Sequence, residues 1–256
     1  MTELMPLLSE ISGMTEAYLW QVALVFLRVG AAVALFPGLG EQMVPQRVKL
    51  AVSLGITMLV APAVAMPVAA PAGILQPLTI EAAAGLVLGF SLRVLILALQ
   101  TAGTIAAQSS NLAQMFAGAG AEPQPIVSNL LILTGIAVFV AMGGLAQSVA
   151  LLILSYELIP IGALPDATML AEWGLGRISK SFALALSLAA PFVLAALLYN
   201  LALGAINRAM PQLMVSFIGA PALTLGALIL LALSGPMILT VWQGALQSAL
   251  AHPFKG

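Results

Sequence analysis

Six long apolar runs leave this chain few folds to choose from. They cover residues 17–36, 48–66, 78–107, 126–156, 182–204 and 212–242. Each is long enough to cross a hydrocarbon core, which takes about 20 residues of α-helix. Because a bilayer offers the backbone no water to bond with, an open-ended segment inside it must be helical. The runs therefore predict an all-α, membrane-type protein with about six long apolar helices.

The scarcity of charge supports the same class. Of the 256 residues, 62% are apolar and 7% are charged, and the mean hydropathy is +1.12. A soluble domain carries about 25% charged residues, so this chain has too few to cover a soluble surface. The net charge is -1, which provides no basic field for binding nucleic acid.

The inventory of reactive side chains argues against an enzyme. The sequence has no cysteine and a single histidine, His252, close to the C-terminus. It therefore lacks thiolate chemistry and an HExxH zinc motif, and no aspartate falls within an apolar run. We expect a non-enzymatic protein with no cofactor and no metal.

The length and prolines of the runs predict irregular helices. The third, fourth and sixth runs each extend over roughly 45 Å as straight helix, although the hydrocarbon core is only about 30 Å thick. Tilting absorbs some of the excess. Pro191 predicts a kink in the fifth run, and Pro221 and Pro236 predict breaks in the sixth.

The basic residues give conflicting indications of membrane orientation. Arg47 and Lys49 follow the first run and favour a cytoplasmic loop there, and Arg208 agrees with that orientation. Arg177 and Lys180 then fall on the opposite side. The first sixteen residues contain glutamates and no basic residue, so we expect a short surface helix there and no cleaved signal.

Residues 103–125 form the most polar stretch between two apolar runs. Gly118 and Gly120 permit a positive φ and Pro123 and Pro125 interrupt a helix, so the prediction is irregular backbone buried in protein or lining a cavity. One interpretation is a plug in a conduit; the other is a plain loop between two membrane helices. The candidate plug residues are Gln108, Asn111, Gln114, Met115, Phe116, Gly118 and Gly120.

Well inside apolar runs lie Arg28, in the first, and Glu81 and Arg93, in the third. Placing an arginine at the middle of a membrane costs from about 3 to more than 10 kcal/mol, so neither Arg28 nor Arg93 is expected to face lipid. A functional interpretation is an ion path or a polar seam between subunits. A structural interpretation, which we favour, is snorkelling or pairing of the arginines with Glu81 or Glu157.

Small and amide residues mark surfaces suited to close helix packing. Gly85 and Gly89 have the small-xxx-small spacing that lets membrane helices approach closely. Asn200, Gly204 and Arg208 share one helix face, just before a turn containing Pro211. The predicted assembly contacts are Asn200, Gly204, Asn207, Arg208, Pro211 and Gln212.

Three stretches resemble the FliR/SctT/SpaR family of export-gate proteins. The first contains Arg28-Val29-Gly30, Pro37, Gly40-Glu41, Val44-Pro45, Arg47 and Lys49. The second is Ser155-Tyr156 with Leu158-Ile159-Pro160-Ile161-Gly162, and the third, the strongest, is LALGAINRAMPQLMVSFIGAP over residues 201–221. The chain length and the six runs also fit, so the resemblance covers essentially the whole chain.

The resemblance implies a subunit of the flagellar type III protein export gate, in the inner membrane at the basal body. Such a subunit forms the entry pore for unfolded proteins with FliP and FliQ, with FlhB and FlhA as further partners. It also implies tilted, kinked hairpins in a hetero-oligomer, with residues 1–256 divided into a FliP-like part (1–176) and a FliQ-like part (177–256). The family's plug loop corresponds to residues 103–125.

One alternative belongs to another functional class: a small-solute or ion transporter in which Arg28, Glu81 and Arg93 are coupling charges. Against it, the sequence shows no pair of discontinuous helices in two matching halves. Solution behaviour distinguishes the two, because a transporter is expected to be monodisperse when purified by itself and a pore subunit is not.

Overall fold

The computed structural model describes residues 4–64, 75–115, 126–163, 166–209 and 215–252, and every regular element within those ranges is helical. The all-α prediction is therefore confirmed. In chain order the elements are α1 (Leu4–Val33), α2 (Gln46–Val60), a 3₁₀ turn (Ala61–Ala63), α3 (Leu75–Met115), α4 (Ile126–Ala141), α5 (Gly144–Leu158), α6 (Ala167–Ala209) and α7 (Val215–Ala251).

The number of helices able to cross a membrane is lower than six. Within the described ranges, four helices are long and apolar enough, or five if α4 and α5 count as one broken span. The described part of the second run holds the 3₁₀ turn and the α-helix α2, whose 15 residues extend about 22 Å. The fourth run is bent by 70° between α4 and α5, where Gly143 has a φ of 70°. The described residues therefore hold four or five candidate spans, fewer than the six apolar runs of the sequence.

The prolines do not interrupt the long helices. Helix α6 continues through Pro191, and α7 continues through Pro221 and Pro236, so the breaks predicted in the sixth run were wrong. A proline removes one backbone hydrogen bond, and in apolar surroundings the remaining ones hold the helix together. Hydroxyls supply further bonds nearby: Ser234 Oγ donates to the Leu230 carbonyl, and Thr240 Oγ donates to the carbonyl of Pro236.

The chain divides into two compact units that interleave along the sequence. The first comprises Met1–Arg93, Met142–Gly174 and Ala249–Gly256; the second comprises Val94–Ala141 and Leu175–Ser248. Helices α3 and α6 each contribute to both units. The division expected at residues 176/177 falls within the continuous helix α6, and it stays a prediction.

In the first unit, α1 and α3 run parallel in very close contact. A Cβ at Gly85 would overlap the Arg28 carbonyl oxygen, and one at Gly89 would lie 2.7 Å from the Ala32 carbonyl oxygen. Both contacts advance in the same direction along the two helices. Two glycines one turn apart therefore allow the backbones to touch, as the small-xxx-small spacing predicts.

Helix α2 buries polar side chains and exposes large apolar ones. Its buried face carries Ser53 and Thr57, whose hydroxyls donate to backbone carbonyls one turn earlier. Its exposed face carries large apolar side chains, namely Val48, Leu50, Leu54, Met58 and Leu59. At its end, the Gln21 side-chain amide of α1 donates to the carbonyls of Ala61 and Val64, at 3.0 and 2.8 Å. Such a pattern suits an apolar environment.

In the second unit, α3 is the central helix to which neighbours bond. Trp242 of α7 is fully buried, and its Nε1 donates to the Leu95 carbonyl at 2.9 Å. Ser181 Oγ of α6 donates to the Val94 carbonyl at 2.8 Å, and Ser128 Oγ of α4 donates to the Gln100 carbonyl at 3.0 Å. Side chains from three helices thus fix their positions against α3.

Candidate functional site

Two of the charges inside the apolar runs form an organised polar site among the described residues. Arg28 on α1 and Glu81 on α3 are both fully buried and make a two-pronged ion pair. The Arg28 Nε donates to Glu81 Oε2 at 2.7 Å, and Nη2 donates to Oε1 at 3.0 Å. This fork-to-carboxylate geometry is the strong form of an ion pair.

Residues at the end of α5 complete the surroundings of this pair. Arg28 Nη1 donates to Ser155 Oγ at 3.2 Å, and Nη2 also donates to the Ile159 carbonyl at 3.0 Å. The guanidinium lies 3.8 Å from the centroid of the Tyr156 ring, within cation–π range. The Gly162 N–H donates to Glu81 Oε1 at 3.0 Å. We call Arg28, Glu81, Ser155, Tyr156, Ile159 and Gly162 the clamp.

The clamp satisfies a charge that would be very costly to bury unpaired. Arginine has five N–H donors, and four hydrogen bonds from Arg28 are made within the clamp. Ser155 serves two partners consistently, because its hydroxyl donates to the Leu152 carbonyl while it accepts from Arg28. The clamp therefore holds its own residues in place, and Arg28 keeps few hydrogen-bond donors for a transported ion.

A second ion pair joins Arg93 of α3 to Glu41, in the connection between α1 and α2. Its side chains are 24% and 23% exposed, so it is far less enclosed than the clamp. The connection itself is tight, because the Gly40 N–H donates to the Phe36 carbonyl at 2.7 Å and Gly38 has a φ of 83°. Arg93 therefore anchors this turn to the middle of α3.

The expected pairing of the intramembrane arginines is confirmed for one of them. Arg28 pairs with Glu81, as the sequence analysis favoured, whereas Glu157 is exposed and takes no part in the clamp. The partner of Arg93, Glu41, was not identified from the sequence. The sequence did hold a signal for the clamp, since Ser155, Tyr156 and Gly162 belong to one of the resembling motifs.

The central stretch is helical over its first half. Helix α3 extends to Met115 and includes Gln108, Asn111 and Gln114, so the expectation of irregular backbone was wrong for residues 103–115. That part contains no proline, and alanine, glutamine and methionine have high helix propensity. Gln108 is exposed. Phe116, Gly118 and Gly120 lie outside the described residues.

The predicted assembly contacts lie at the end of α6. Asn200 is half-buried, and Gly204, Asn207 and Arg208 are exposed. The helix ends at Ala209, with Arg208 in its last turn, where a cation interacts favourably with the helix dipole. Pro211 and Gln212 lie outside the described residues.

An open apolar pocket of about 240 Å³ is formed by the second unit, and the sequence did not predict it. Small residues of α6 and α7 make room for it, chiefly Ala195, Ala196, Ala222, Gly226 and Ala227. Ala106 and Ser109 of α3 close another side. For metals, the described side chains include no group of three or more His, Asp or Glu residues able to hold an ion.

Comparison with known proteins identifies the family. The family described as "Bacterial export proteins, family 1" matches residues 19–249. Flagellar biosynthetic protein FliR of Caulobacter vibrioides is 32% identical over 234 residues, which cover 89% of this chain and 93% of that protein. The Escherichia coli protein of the same name is 32% identical over 227 residues, covering 84% and 83%. The Aquifex aeolicus protein is 29% identical over 231 residues, covering 88% of each. The resemblance noted in the sequence is thereby confirmed, and the chain belongs to family 1 of the bacterial export proteins.

Proposed function

We propose that the chain is a subunit of the flagellar type III protein export gate, in the bacterial inner membrane at the basal body. The observation that carries this proposal is the family match over residues 19–249, together with relatives named Flagellar biosynthetic protein FliR. In this role it forms an entry pore with FliP-like and FliQ-like subunits, with FlhB and FlhA as neighbours. Exported unfolded proteins are its cargo, and it has no catalytic step of its own.

The exposed apolar surface supports a role inside an assembly. Helix α7 carries an exposed stripe at four-residue spacing, made of Leu225, Ile229, Leu233 and Met237, each 60–75% exposed. Helix α6 exposes further large side chains, among them Phe182, Leu186, Leu198 and Leu201. Helices of this kind need lipid or other subunits along most of their circumference.

The buried charges support a structural role rather than ion coupling. Arg28 and Glu81 are enclosed and bonded to each other as well as to the end of α5. A coupling charge must exchange partners during transport, and breaking a buried pair costs about 3–5 kcal/mol. We therefore favour the export subunit over the transporter.

We also propose, from the resemblance in sequence, that residues 1–176 and 177–256 correspond to FliP-like and FliQ-like parts.

Co-expression provides the test of the assembly. The chain is expressed alone, and in parallel with the FliP-like and FliQ-like proteins of its own organism, and each preparation is solubilised in mild detergent. We expect aggregation or degradation of the single chain, and a larger hetero-oligomer when the partners are present. The mass of the intact complex gives the stoichiometry. A stable, homogeneous monomer that ignores both partners would contradict the proposal.

The plug is tested separately by deleting residues 114–120. Because the long helices on either side hold the subunit, we expect assembly to persist while the membrane becomes permeable to small ions and solutes. Membrane conductance and growth under salt stress are compared with the full chain at matched expression. As a control, Gln247→Ala removes one exposed amide on α7, outside the candidate plug residues. A deletion variant that assembles, exports and does not leak would make the stretch an ordinary loop.

A further inference from the structure

The turn between α5 and α6 is held by side chains that are distant in sequence. Part of its backbone bonds locally: the Ile159 N–H donates to the Ser155 carbonyl at 2.8 Å, and the Ala163 N–H donates to the Pro160 carbonyl at 3.0 Å. The Ile159 carbonyl and the Gly162 N–H are instead bonded by Arg28 and Glu81. The two ends of the turn therefore depend on one ion pair formed by α1 and α3.

Glycine at the end of the turn explains why contacts from outside are needed, because its backbone is conformationally free and one conformation must be selected. Gly162 has a φ of 74°, a left-handed conformation that side-chain-bearing residues rarely adopt. By contrast, the start of α6 is capped locally, because Asp166 Oδ1 accepts from the Thr168 N–H at 2.8 Å. Helix α6 can thus begin without the clamp, but the position of the turn that leads to it is set by the clamp.

We infer that Arg28 and Glu81 are positioning residues for the α5–α6 turn: they set where the chain leaves α5, and neutralising each other's charge is only part of their role. The planar guanidinium holds Glu81, Ser155 and the Ile159 carbonyl at once, and the carboxylate passes the constraint on to Gly162. Lysine keeps the charge but is a point-like cation that cannot hold this fork geometry. Charge balance and positioning are therefore separable by mutation.

The experiment uses thiol labelling of the full chain, expressed with its natural partners in native membranes. The chain contains no cysteine, so one introduced thiol is the only target within it. Ile159→Cys replaces a buried side chain in the turn and leaves its carbonyl in place. Glu157→Cys, at an exposed position two residues earlier, is the matched control for reagent access. Leu88→Cys, at a fully buried position on α3 in the same unit as the turn, reports unfolding of that unit.

Each reporter is combined with unchanged Arg28 and Glu81, with Arg28→Lys, and with the double substitution Arg28→Leu and Glu81→Leu. In the unchanged background, we expect the thiol at position 159 to react at least about tenfold more slowly with a maleimide than the one at position 157, as in a locally closed segment. In both altered backgrounds, we expect the thiol at position 159 to react nearly as fast as the one at 157. The thiol at position 88 should stay protected.

Two results would overturn the inference. Protection at position 159 in the Arg28→Lys background would show that charge balance is sufficient. Labelling at both 159 and 88 would show that the pair supports the whole first unit and not the turn in particular. Ser155→Ala is a milder variant that removes one contact of Arg28, and it should increase labelling at 159 alone. None of these readouts requires export to occur, so their outcome is independent of the proposed gate function.

Discussion

The two arginines that lie inside apolar runs differ in how much the structure depends on them. Arg28 is fully buried and bonded to Glu81, Ser155 and Ile159, whereas Arg93 is about one-quarter exposed and pairs with Glu41. Breaking a buried pair leaves its partner uncompensated, but breaking a partly exposed pair leaves a charge that water can reach. Two residues that look equivalent in the sequence are therefore expected to respond differently to mutation.

Arg28→Leu should destabilise the protein by about 3–5 kcal/mol, because Glu81 is left buried without its partner. Arg93→Leu should cost about 1 kcal/mol or less, because Glu41 remains accessible to water. The measurement is the thermal midpoint of the purified complex and its yield at equal expression. Equal losses for the two variants would contradict this ranking.

The contact between α1 and α3 depends on Gly85 having no side chain. We expect Gly85→Ala to destabilise the subunit by about 1–3 kcal/mol, because the new Cβ would overlap the Arg28 carbonyl oxygen and move the helices apart. Gly30→Ala is the matched control: its Cβ meets nothing within 4 Å, so higher helix propensity should make it neutral or slightly stabilising. Thermal inactivation of the two variants, measured side by side, checks this difference.

At the scale of elements, the break between α4 and α5 changes the direction of the chain within a single apolar run. The fourth run has no charge or proline near its centre, yet the helix ends at Ala141 and restarts at Gly144 after a 70° bend. The residue at the bend, Gly143, has a φ of 70° and open space around it. The bend therefore requires glycine for its backbone conformation and not for close packing.

Gly143→Ala should accordingly destabilise the bent pair by about 1–2 kcal/mol, the cost of a left-handed conformation for a residue with a Cβ. Gly174→Ala is the comparison, since Gly174 also faces open space but lies within helix α6 without a positive φ. We expect only the first substitution to lower the thermal midpoint of the complex. Identical behaviour of the two variants would show that the bend tolerates a side chain.

At the scale of the whole molecule, the apolar surface of α7 needs an apolar neighbour. Its exposed stripe includes Met237, which is 72% exposed, while Trp242 and Leu246 of the same helix are fully buried. One side of α7 thus packs within the second unit and the other faces outwards. In the proposed gate, partner subunits and lipid cover that outer side.

Met237→Glu should therefore prevent incorporation into the complex, because a charge in an apolar contact or in lipid costs about 2–4 kcal/mol. Gln247→Glu, at an exposed polar position on the same helix, serves as the control and should assemble. The readout is co-purification with the FliP-like and FliQ-like partners. Normal incorporation of Met237→Glu would place this face in water.

Several features of the fold were predictable from short stretches of sequence, because hydrophobic patterning and helix propensity depend on residues close together in the chain. The all-α class, the membrane character and the close packing at Gly85 and Gly89 were predicted in this way. The bend at Gly143 had a local signal in the Gly-Gly pair, which favours a turn, but the surrounding apolar run masked it. Helix α3 reaches Met115, and residues 103–115 contain no proline and include several alanine, glutamine, leucine and methionine residues that favour a helix.

The pairing of charges was harder to predict from the sequence, because each pair joins residues that are far apart in the chain. Glu41 and Arg93 are 52 residues apart, and Arg28 reaches Ser155 across 127 residues. The sequence by itself determined that the buried charges needed partners, because an unpaired charge in an apolar interior is too costly. Which partners they found was decided only by the tertiary structure, because it depends on which helices lie side by side and at what register.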